Sequence, residues 1–471
     1  MELLTILSIS LYCLALLLLK RAITRRGQQC YMLHYACFKP PEGRRLDTKK
    51  GADIVLRNKN LGLDEYRYLL KTIVSSGIGE NTYCPKIVLE GRENTATLSD
   101  AHTEMDEIMF GTLDELFQKS GVLPQEIDIL VVNISLLSTV PSLTSRIVNR
   151  YKMREDVRVY NITGMGCSAS IIGVNLLEQL FQIHKNMYAI LLSTECMGSY
   201  WYCGKERPFM LSNVLFRAGG CSMLFTNKPS LKHQALIKLR CLVRTHHGAS
   251  DEAYECCYQM EDDEGYPGFR LTKYLTKAAA IIFQENLKVF VPKVLPIREL
   301  IRYFIVSQVK ILWNKFGNSK LEGLGTGLNF KSGIQHFCIH PGGKAVVDGA
   351  GKGLQLSDYD MEPSRMTLHR WGNTSAAGFW YVLGYMEAKK RLKKGDKIMM
   401  ISFGAGFKCN NCLWEVMRDM EDRNVWDDCI DDYPPRMVVN PFREQFEWIQ
   451  DEIVGFIRIN HDDLRACIIK S

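Results

Sequence analysis

The sequence predicts an α/β protein made of two similar layered halves, preceded by one membrane-spanning helix. Three observations predict it. First, buried-type strands alternate with helical runs: IDILVVNIS at Ile127–Ser135, AILLS from Ala189 and IMMIS from Ile398. Second, one design occurs twice: a glycine turn, a polar residue, several small residues, an apolar helix, a polar turn and an apolar strand. The first copy begins at NITGMGCSASIIGVNLLEQL, Asn161–Leu180, and the second at HRWGNTSAAGFWYVLGYMEA, His369–Ala388. Two βαβ-like units of this kind predict a duplicated fold in which each half gives one polar residue to a shared centre. Third, Leu3–Leu19 (LLTILSISLYCLALLLL) is apolar and uncharged.

The chain has 471 residues, enough for a large core, with ordinary hydrophobic (46%) and charged (24%) content. A net charge of +7 suits an anionic ligand or membrane surface. No basic patch interleaved with aromatics and no zinc-finger spacing is present, so nucleic acid is not an expected partner. Sixteen cysteines in a long chain, scattered through strand-like and helix-like segments, read as reduced thiols. Cys409 and Cys412 form a C-x-x-C without a second pair, so no metal is expected there. The adjacent Cys256 and Cys257 read as structural.

Taken in order, residues 1–26 read as a membrane anchor with a basic flank. Leu3–Leu19 spans about 25 Å as a helix, close to the thickness of an endoplasmic-reticulum bilayer. Lys20, Arg21, Arg25 and Arg26 follow and place the rest of the chain on the cytosolic side. A cleaved signal peptide fits less well: Glu2 stands where basic residues belong, and no small-x-small site follows. Cys30–Phe38 (CYMLHYACF) is aromatic and suits the membrane interface. Residues 27–99 read as a linker and lid region containing a short helix, LDEYRYLL.

Residues 100–260 form the first half. Thr103–Ser120 is an amphipathic helix with Met105, Met109, Leu113 and Leu116 on one face. PSLTSRIVNRYKM begins another helix with Pro141 near its first turn. LFRAGGCSMLFTN is a strand with a glycine bend, and LIKLRCLVRTHHGASD carries His246 and His247. Residues 261–434 form the second half. EDDEG is a solvated acidic loop and Ala278–Leu295 a helix. Arg298–Phe316 is an apolar, basic helix whose expected place is on the core, with a membrane surface as the alternative. Residues 435–471 are a tail with no assigned role.

Three turns carry candidate chemistry. Gly164 and Gly166 permit a tight turn, and Cys167 then falls at a helix N-terminus, where unpaired N–H groups favour a thiolate. HFCIH puts His336 and His340 on one face of a strand, and Pro341-Gly342-Gly343 ends that strand, leaving His340 at its tip. Asn373 occupies in the second copy the place that Cys167 holds in the first.

NITGMGCSAS, RTHHGASD, HFCIHPGGKAVVD, MTLHRWGNTSAAGFWYVLGYMEAKKRLKKGDK and FGAGFKCNNCLWE together resemble the plant 3-ketoacyl-CoA synthases, the condensing enzymes of very-long-chain fatty acid elongation. CFKPPEGRR, PSLTSRIVNRYKMR and VWDDCIDDYP are similar to that family too, so the resemblance runs from about Tyr31 to Pro434. It implies a thiolase-like fold with a Cys-His-Asn centre. The family's catalytic positions match Cys167, His246, His336, His340, His369 and Asn373. By their own surroundings His246, His336 and His369 fit a structural hydrogen bond as well as direct chemistry. The implied substrates are a long-chain acyl-CoA and malonyl-CoA, with no metal or redox cofactor. Gly404 and Gly406, in the Gly404–Phe407 loop, are the candidates for an oxyanion site with the Cys167 N–H.

The implied partners are a membrane, a second copy in a homodimer, and the elongase ketoacyl reductase, dehydratase and enoyl reductase. The implied location is the endoplasmic reticulum membrane with the catalytic region cytosolic. The family often has two N-terminal membrane helices, whereas one clear span is present here. Other readings are a cysteine hydrolase, which lacks its CGSCW-type signature here, a non-catalytic membrane subunit, and a type III polyketide synthase-like enzyme.

Overall fold

The computed structural model describes residues 29–315 and 327–445. The expected membrane anchor, residues 1–26, lies outside the described residues, as does the end of the tail from 446. Among the described residues, no helix is long and apolar enough to cross a membrane.

The strands are β1 Tyr31–Cys37, β2 Arg45–Leu46, β3 Thr82–Tyr83, β4 Ile129–Asn133, β5 Arg158–Ile162, β6 Tyr188–Thr194 and β7 Gly220–Thr226. They continue with β8 Ile237–His246, β9 Cys257–Glu261, β10 Pro267–Leu271, β11 His336–Ile339, β12 Lys397–Gly404 and β13 Lys408–Val416. Nine of them form one sheet in the order β11-β12-β13-β8-β1-β7-β6-β4-β5. The sheet has a seam: β1 and β8 pair only at Tyr31–Lys238 and Met32–Ile237. On one side β4 and β6 run parallel and β6, β7 and β1 antiparallel. On the other β11 and β12 run parallel and β12, β13 and β8 antiparallel. The pairing scheme repeats across the seam, as the duplicated motif predicts.

The period of two along each strand sorts its side chains into layers. Ile129 and Val131 of β4 join a central core, while Leu130 and Val132 face an outer one. In β12, Ile398 and Met400 face the same central core and Met399 and Ile401 the second outer one. The central layer holds the two motif helices, Ala169–Ile183 and Gly378–Ala388, which share a core through Ile171, Val174 and Leu177 on one and Phe379, Val382 and Leu383 on the other. Trp380 Nε1 donates to Ser170 Oγ at 2.8 Å, so the indole is buried with its one donor satisfied. The second helix is buried all round, whereas the first exposes Gln179, Gln182 and Ile183 in its last turns.

Several expectations are corrected. Cys30–Phe38 does not face a membrane: Tyr31–Cys37 is a central strand, buried except at His34. A strand covered on both faces carries a continuous apolar run and so reads like an interfacial segment. The region placed in the linker therefore contributes β1 to the first half, and β8 belongs by its pairing to the second. The helix expected from Thr103 begins at Leu98, because Thr97 and Asp100 form a capping box with Thr97 N donating to Asp100 Oδ2 at 3.0 Å. Pro141 stands outside its helix, which starts at Leu143 after the N-cap Ser142. EDDEG is the tip of the β9–β10 hairpin, and Asp262 is buried there, accepting from the Tyr202 hydroxyl at 2.5 Å. The Ile297–Lys315 helix, expected on the core, exposes Ile301, Phe304, Ile305 and Val309.

Candidate active site

The turns that lead into both motif helices open on one cavity of about 890 Å³. Cys167, His340 and Asn373 line it together, along with Gly404 and Gly406. Three side chains far apart in sequence thus meet because the two halves face each other across the central layer. The rest of the wall comes from the periphery: Tyr68 and Thr72 of the Leu63–Ser75 helix, Tyr258 and Phe269 of the β9–β10 hairpin, and Leu275 and Ala279 of the Leu275–Val294 helix.

Cys167 is the middle residue of one 3₁₀ turn, Gly166–Ser168, that leads directly into the Ala169–Ile183 helix. Gly166 has φ +62°, and a Cβ there would lie 2.7 Å from the Ala405 amide nitrogen. Only glycine lets the nucleophile turn and the Gly404–Phe407 loop approach this closely. A Cβ on Gly404 would likewise meet Met165 O at 2.7 Å. Burial pushes the Cys167 thiol up to about 12, against the smaller opposing effects of the Ser375 and Asn373 side chains and of its own backbone N–H.

His340 follows β11 directly, its N–H donating to Ile401 O at 2.9 Å. It is 2% exposed, and neither ring nitrogen has a hydrogen-bond partner. Burial pushes its pKa down to about 4, so the imidazole is neutral near pH 7 and carries one N–H. Asn373 is held by Ser375 N–H, which donates to its Oδ1 at 2.9 Å, while its Nδ2 donates to Gly342 O at a long 3.3 Å. A Cβ on Gly342 would lie 3.1 Å from His340 Nε2 and 3.9 Å from Asn373 Nδ2. The two donors therefore border the same small space, which suits stabilisation of a developing oxyanion.

The other three histidines do not line the cavity. His336 starts β11, about 13 Å along the strand from His340, and pairs with Asp396 through Nε2 at 2.9 Å. His369 lies in the Asp358–Trp371 helix, where its Nδ1 is 3.0 Å from the Tyr433 hydroxyl and its ring covers Gly79. Gly79 N–H donates to His369 O at 2.9 Å, so this residue ties the lid segment to the core. His246 ends β8 on the exposed side of the Gly404–Phe407 loop, pairing in register with Lys408. Gly248 N–H donates to its Nδ1 at 3.0 Å.

One buried acid at the site had no signal in the sequence. Glu195 follows β6, lines the cavity and is 3% exposed. It accepts from Ser135 N at 3.0 Å, Leu136 N at 2.7 Å and Ser375 Oγ at 3.3 Å. Cys409 and Cys412 project to opposite faces of β13, one in an outer core and one in the central core, so they form no chelate. No disulfide joins the described cysteines.

Comparison with known proteins agrees with this geometry. Residues 22–311 match the model of the family described as FAE1/Type III polyketide synthase-like protein. Residues 326–416 match the 3-Oxoacyl-[acyl-carrier-protein (ACP)] synthase III C-terminal family. The chain is 58% identical over 447 residues to 3-ketoacyl-CoA synthase 19 of Arabidopsis thaliana, covering 94% of this chain and 96% of that protein. It is 53% identical over 440 residues to 3-ketoacyl-CoA synthase 12 of the same plant, covering 91% and 92%. Among solved structures, the C-terminal type III polyketide synthase domain of Steely1 from Dictyostelium superposes with a TM-score of 0.63 at 14% identity, covering 83% of this chain and 99% of that one. CsyB complexed with CoA-SH does so with a TM-score of 0.64 at 16% identity, covering 82% and 100%. These structural likenesses establish the thiolase-like fold.

Proposed function

The chain belongs to the 3-ketoacyl-CoA synthases, and on that premise we propose how its cavity makes the new carbon–carbon bond. Members of this family are condensing acyltransferases of very-long-chain fatty acid elongation. The reaction joins an acyl-CoA to malonyl-CoA and yields 3-ketoacyl-CoA, CO2 and CoA. The observation that carries the mechanism is the meeting of Cys167, His340 and Asn373 at one cavity.

Cys167 sulfur attacks the thioester of a long-chain acyl-CoA, and CoA leaves as the acyl-cysteine forms. The Cys167 N–H and a backbone N–H of the Gly404–Phe407 loop hold the tetrahedral oxyanion. Malonyl-CoA then binds with its thioester carbonyl between His340 and Asn373. As CO2 departs, its bonding electrons pass into the enolate, whose oxygen accepts from the imidazole N–H and the Asn373 Nδ2–H. Both donors are neutral, so neither has to change protonation state near pH 7. The enolate carbon attacks acyl-Cys167, and collapse of the second tetrahedral intermediate frees the cysteine. No electrons leave the substrates, so the chemistry calls for no redox cofactor.

The protein works at the endoplasmic reticulum membrane with this region in the cytosol, as a homodimer, handing its product to the ketoacyl reductase of elongation. The apolar Leu3–Leu19 run with its basic flank supports this location. So does the apolar face that Ile301, Phe304, Ile305 and Val309 expose. The decisive experiment incubates the full-length protein with radiolabelled acyl-CoAs, with and without malonyl-CoA. Covalent labelling lost in Cys167→Ala, and a two-carbon extension only with malonyl-CoA, are expected. Labelling that survives Cys167→Ala overturns the mechanism.

A further inference from the structure

Asn373 lies between the Asp358–Trp371 helix and the Ser375–Ala377 turn, with no helix or strand of its own to fix it. Both of its backbone bonds go to one short strip of chain. Asn373 N–H donates to Leu215 O at 2.9 Å, and Arg217 N–H donates to Asn373 O at 2.9 Å. The strip needs fixing in turn, because Phe216 and Arg217 lie between the Arg207–Leu215 helix and β7. We propose that Arg217 is the positioning residue of this donor: its guanidinium locks the Leu215–Arg217 strip to the lid segment and so holds the Asn373 carboxamide in place for the enolate. This rests on the role given to Asn373 above and adds what sets its position.

Leu215 and Phe216 line the catalytic cavity, whereas Arg217 lines a smaller cavity of about 60 Å³ under the lid segment. It is 7% exposed. A Cβ on Gly372 would run into Arg217 Cγ, so the arginine stem packs directly on the turn before Asn373. At the end of the side chain, Nη1 donates to Phe216 O at 2.8 Å and to Asn213 O at 3.2 Å. Nε donates to Thr82 Oγ1 at 3.0 Å. Thr82 belongs to β3, and its hydroxyl donates onward to Leu46 O of β2 at 3.0 Å. One guanidinium therefore joins the strip that bonds Asn373 to the small sheet of the lid segment. Ala218 N–H, donating to Tyr83 O at 3.3 Å, extends the junction by one residue.

Among the described residues no carboxylate pairs with Arg217, and its acceptors are all neutral oxygens. Burying a cation in this way costs free energy that an apolar side chain of similar length would not. Burial pulls its pKa down to about 10, so it is still a cation near pH 7. What an apolar residue lacks is a rigid fork of donors that reaches two segments at once. A second buried arginine grips the same part of the lid from the helix that leads to Asn373. Arg370 is 1% exposed and donates to Asn81 O and, through Nη2, to the Tyr83 hydroxyl at 2.9 Å. The Asn373 turn is thus tied to residues 81–83 through its own helix and through the strip beside it.

The test measures the two half-reactions separately in the full-length protein: malonyl-CoA decarboxylation as labelled CO2, and self-acylation as intact mass. Wild type, Arg217→Met, Thr82→Val and Thr82→Ser are compared. Methionine keeps a stem over Gly372 and removes the donors. Valine removes the hydroxyl at the far end of the link, and serine restores it. In Arg217→Met and Thr82→Val, decarboxylation is expected to fall roughly tenfold and self-acylation by no more than about twofold. Thr82→Ser is expected to keep the wild-type ratio of the two rates. A purely structural role would lower both half-reactions together, in proportion to the folded fraction. An unchanged ratio in either Arg217→Met or Thr82→Val, or the same loss in Thr82→Ser as in Thr82→Val, overturns the proposal. Should Arg217→Met fail to fold, the two Thr82 variants decide. Asn373→Ala, run alongside, separates the proposal from its premise. Selective loss there with an unchanged ratio in the link variants refutes the link alone, and no selective loss there refutes the enolate role itself.

Discussion

Replacing Asn373 by alanine should separate the two half-reactions. Asn373 Nδ2 makes a long 3.3 Å bond to Gly342 O, so it can turn to a substrate oxygen. Loss of one such donor from an oxyanion site costs about 2.7–4 kcal/mol, or roughly 10²–10³ in rate. Malonyl-CoA decarboxylation, followed as labelled CO2, should fall by that factor. Self-acylation, followed as the mass of the intact protein, should fall by about tenfold at most, because Asn373 acts there only by lowering the thiol pKa. Alanine also strands the buried Ser375 amide, at a cost of about 1–3 kcal/mol in stability. Asn373→Asp keeps an oxygen for that amide and so removes the stability cost, but its charge also raises the thiol pKa, so self-acylation is read from the alanine variant. Equal loss of both half-reactions in Asn373→Ala would refute the assignment of Asn373 to the enolate.

Further predictions concern stability and the cavity wall. Gly166→Ala forces an alanine into φ +62° against the Ala405 amide; it should lose at least about 1–2 kcal/mol, seen as a lower Tm, and slow self-acylation, and retention of both would show that the turn and loop can part. Glu387, 3% exposed and bonded to the Tyr35 hydroxyl, is held up to about 7 by burial. Because the folded state binds its proton more tightly than the unfolded chain, its stabilisation is full below about pH 4.3 and lost as pH rises through 7. Glu387→Gln should therefore show a flatter fall in Tm between pH 5 and 7.5 than wild type. Ala279→Trp should fill part of the cavity and shorten the longest product in an elongation assay; an unchanged product profile would place the acyl chain elsewhere.

How legible each feature was depended on whether its signal is local. Cys167 and Asn373 were readable because glycine turns before apolar helices are written in consecutive residues. His340 was readable because Pro341-Gly342-Gly343 ends its strand. His336 shares the strand face with His340, but a shared face says nothing of distance along the strand, and only the tip reaches the cavity. His369 lies only four residues from Asn373, yet Gly372 turns the chain between them (φ +65°) and sends the histidine to Gly79 and Tyr433. Glu195 had no local pattern: its partners Ser135, Leu136 and Ser375 come from three separate segments. The same limit hid β1, whose partners β7 and β8 lie about two hundred residues away. Periodicity also misjudged the Ile297–Lys315 helix, because an apolar stripe does not say whether protein covers it.

The reacting groups hang from the innermost layer, while much of the surrounding wall is borrowed from a lid helix, the strands of a hairpin and the first turns of an outer helix. Those outer pieces can be resized without disturbing the geometry at the sulfur. A lineage of such enzymes is thereby able to diversify in the length of chain it accommodates while inheriting one bond-forming apparatus intact.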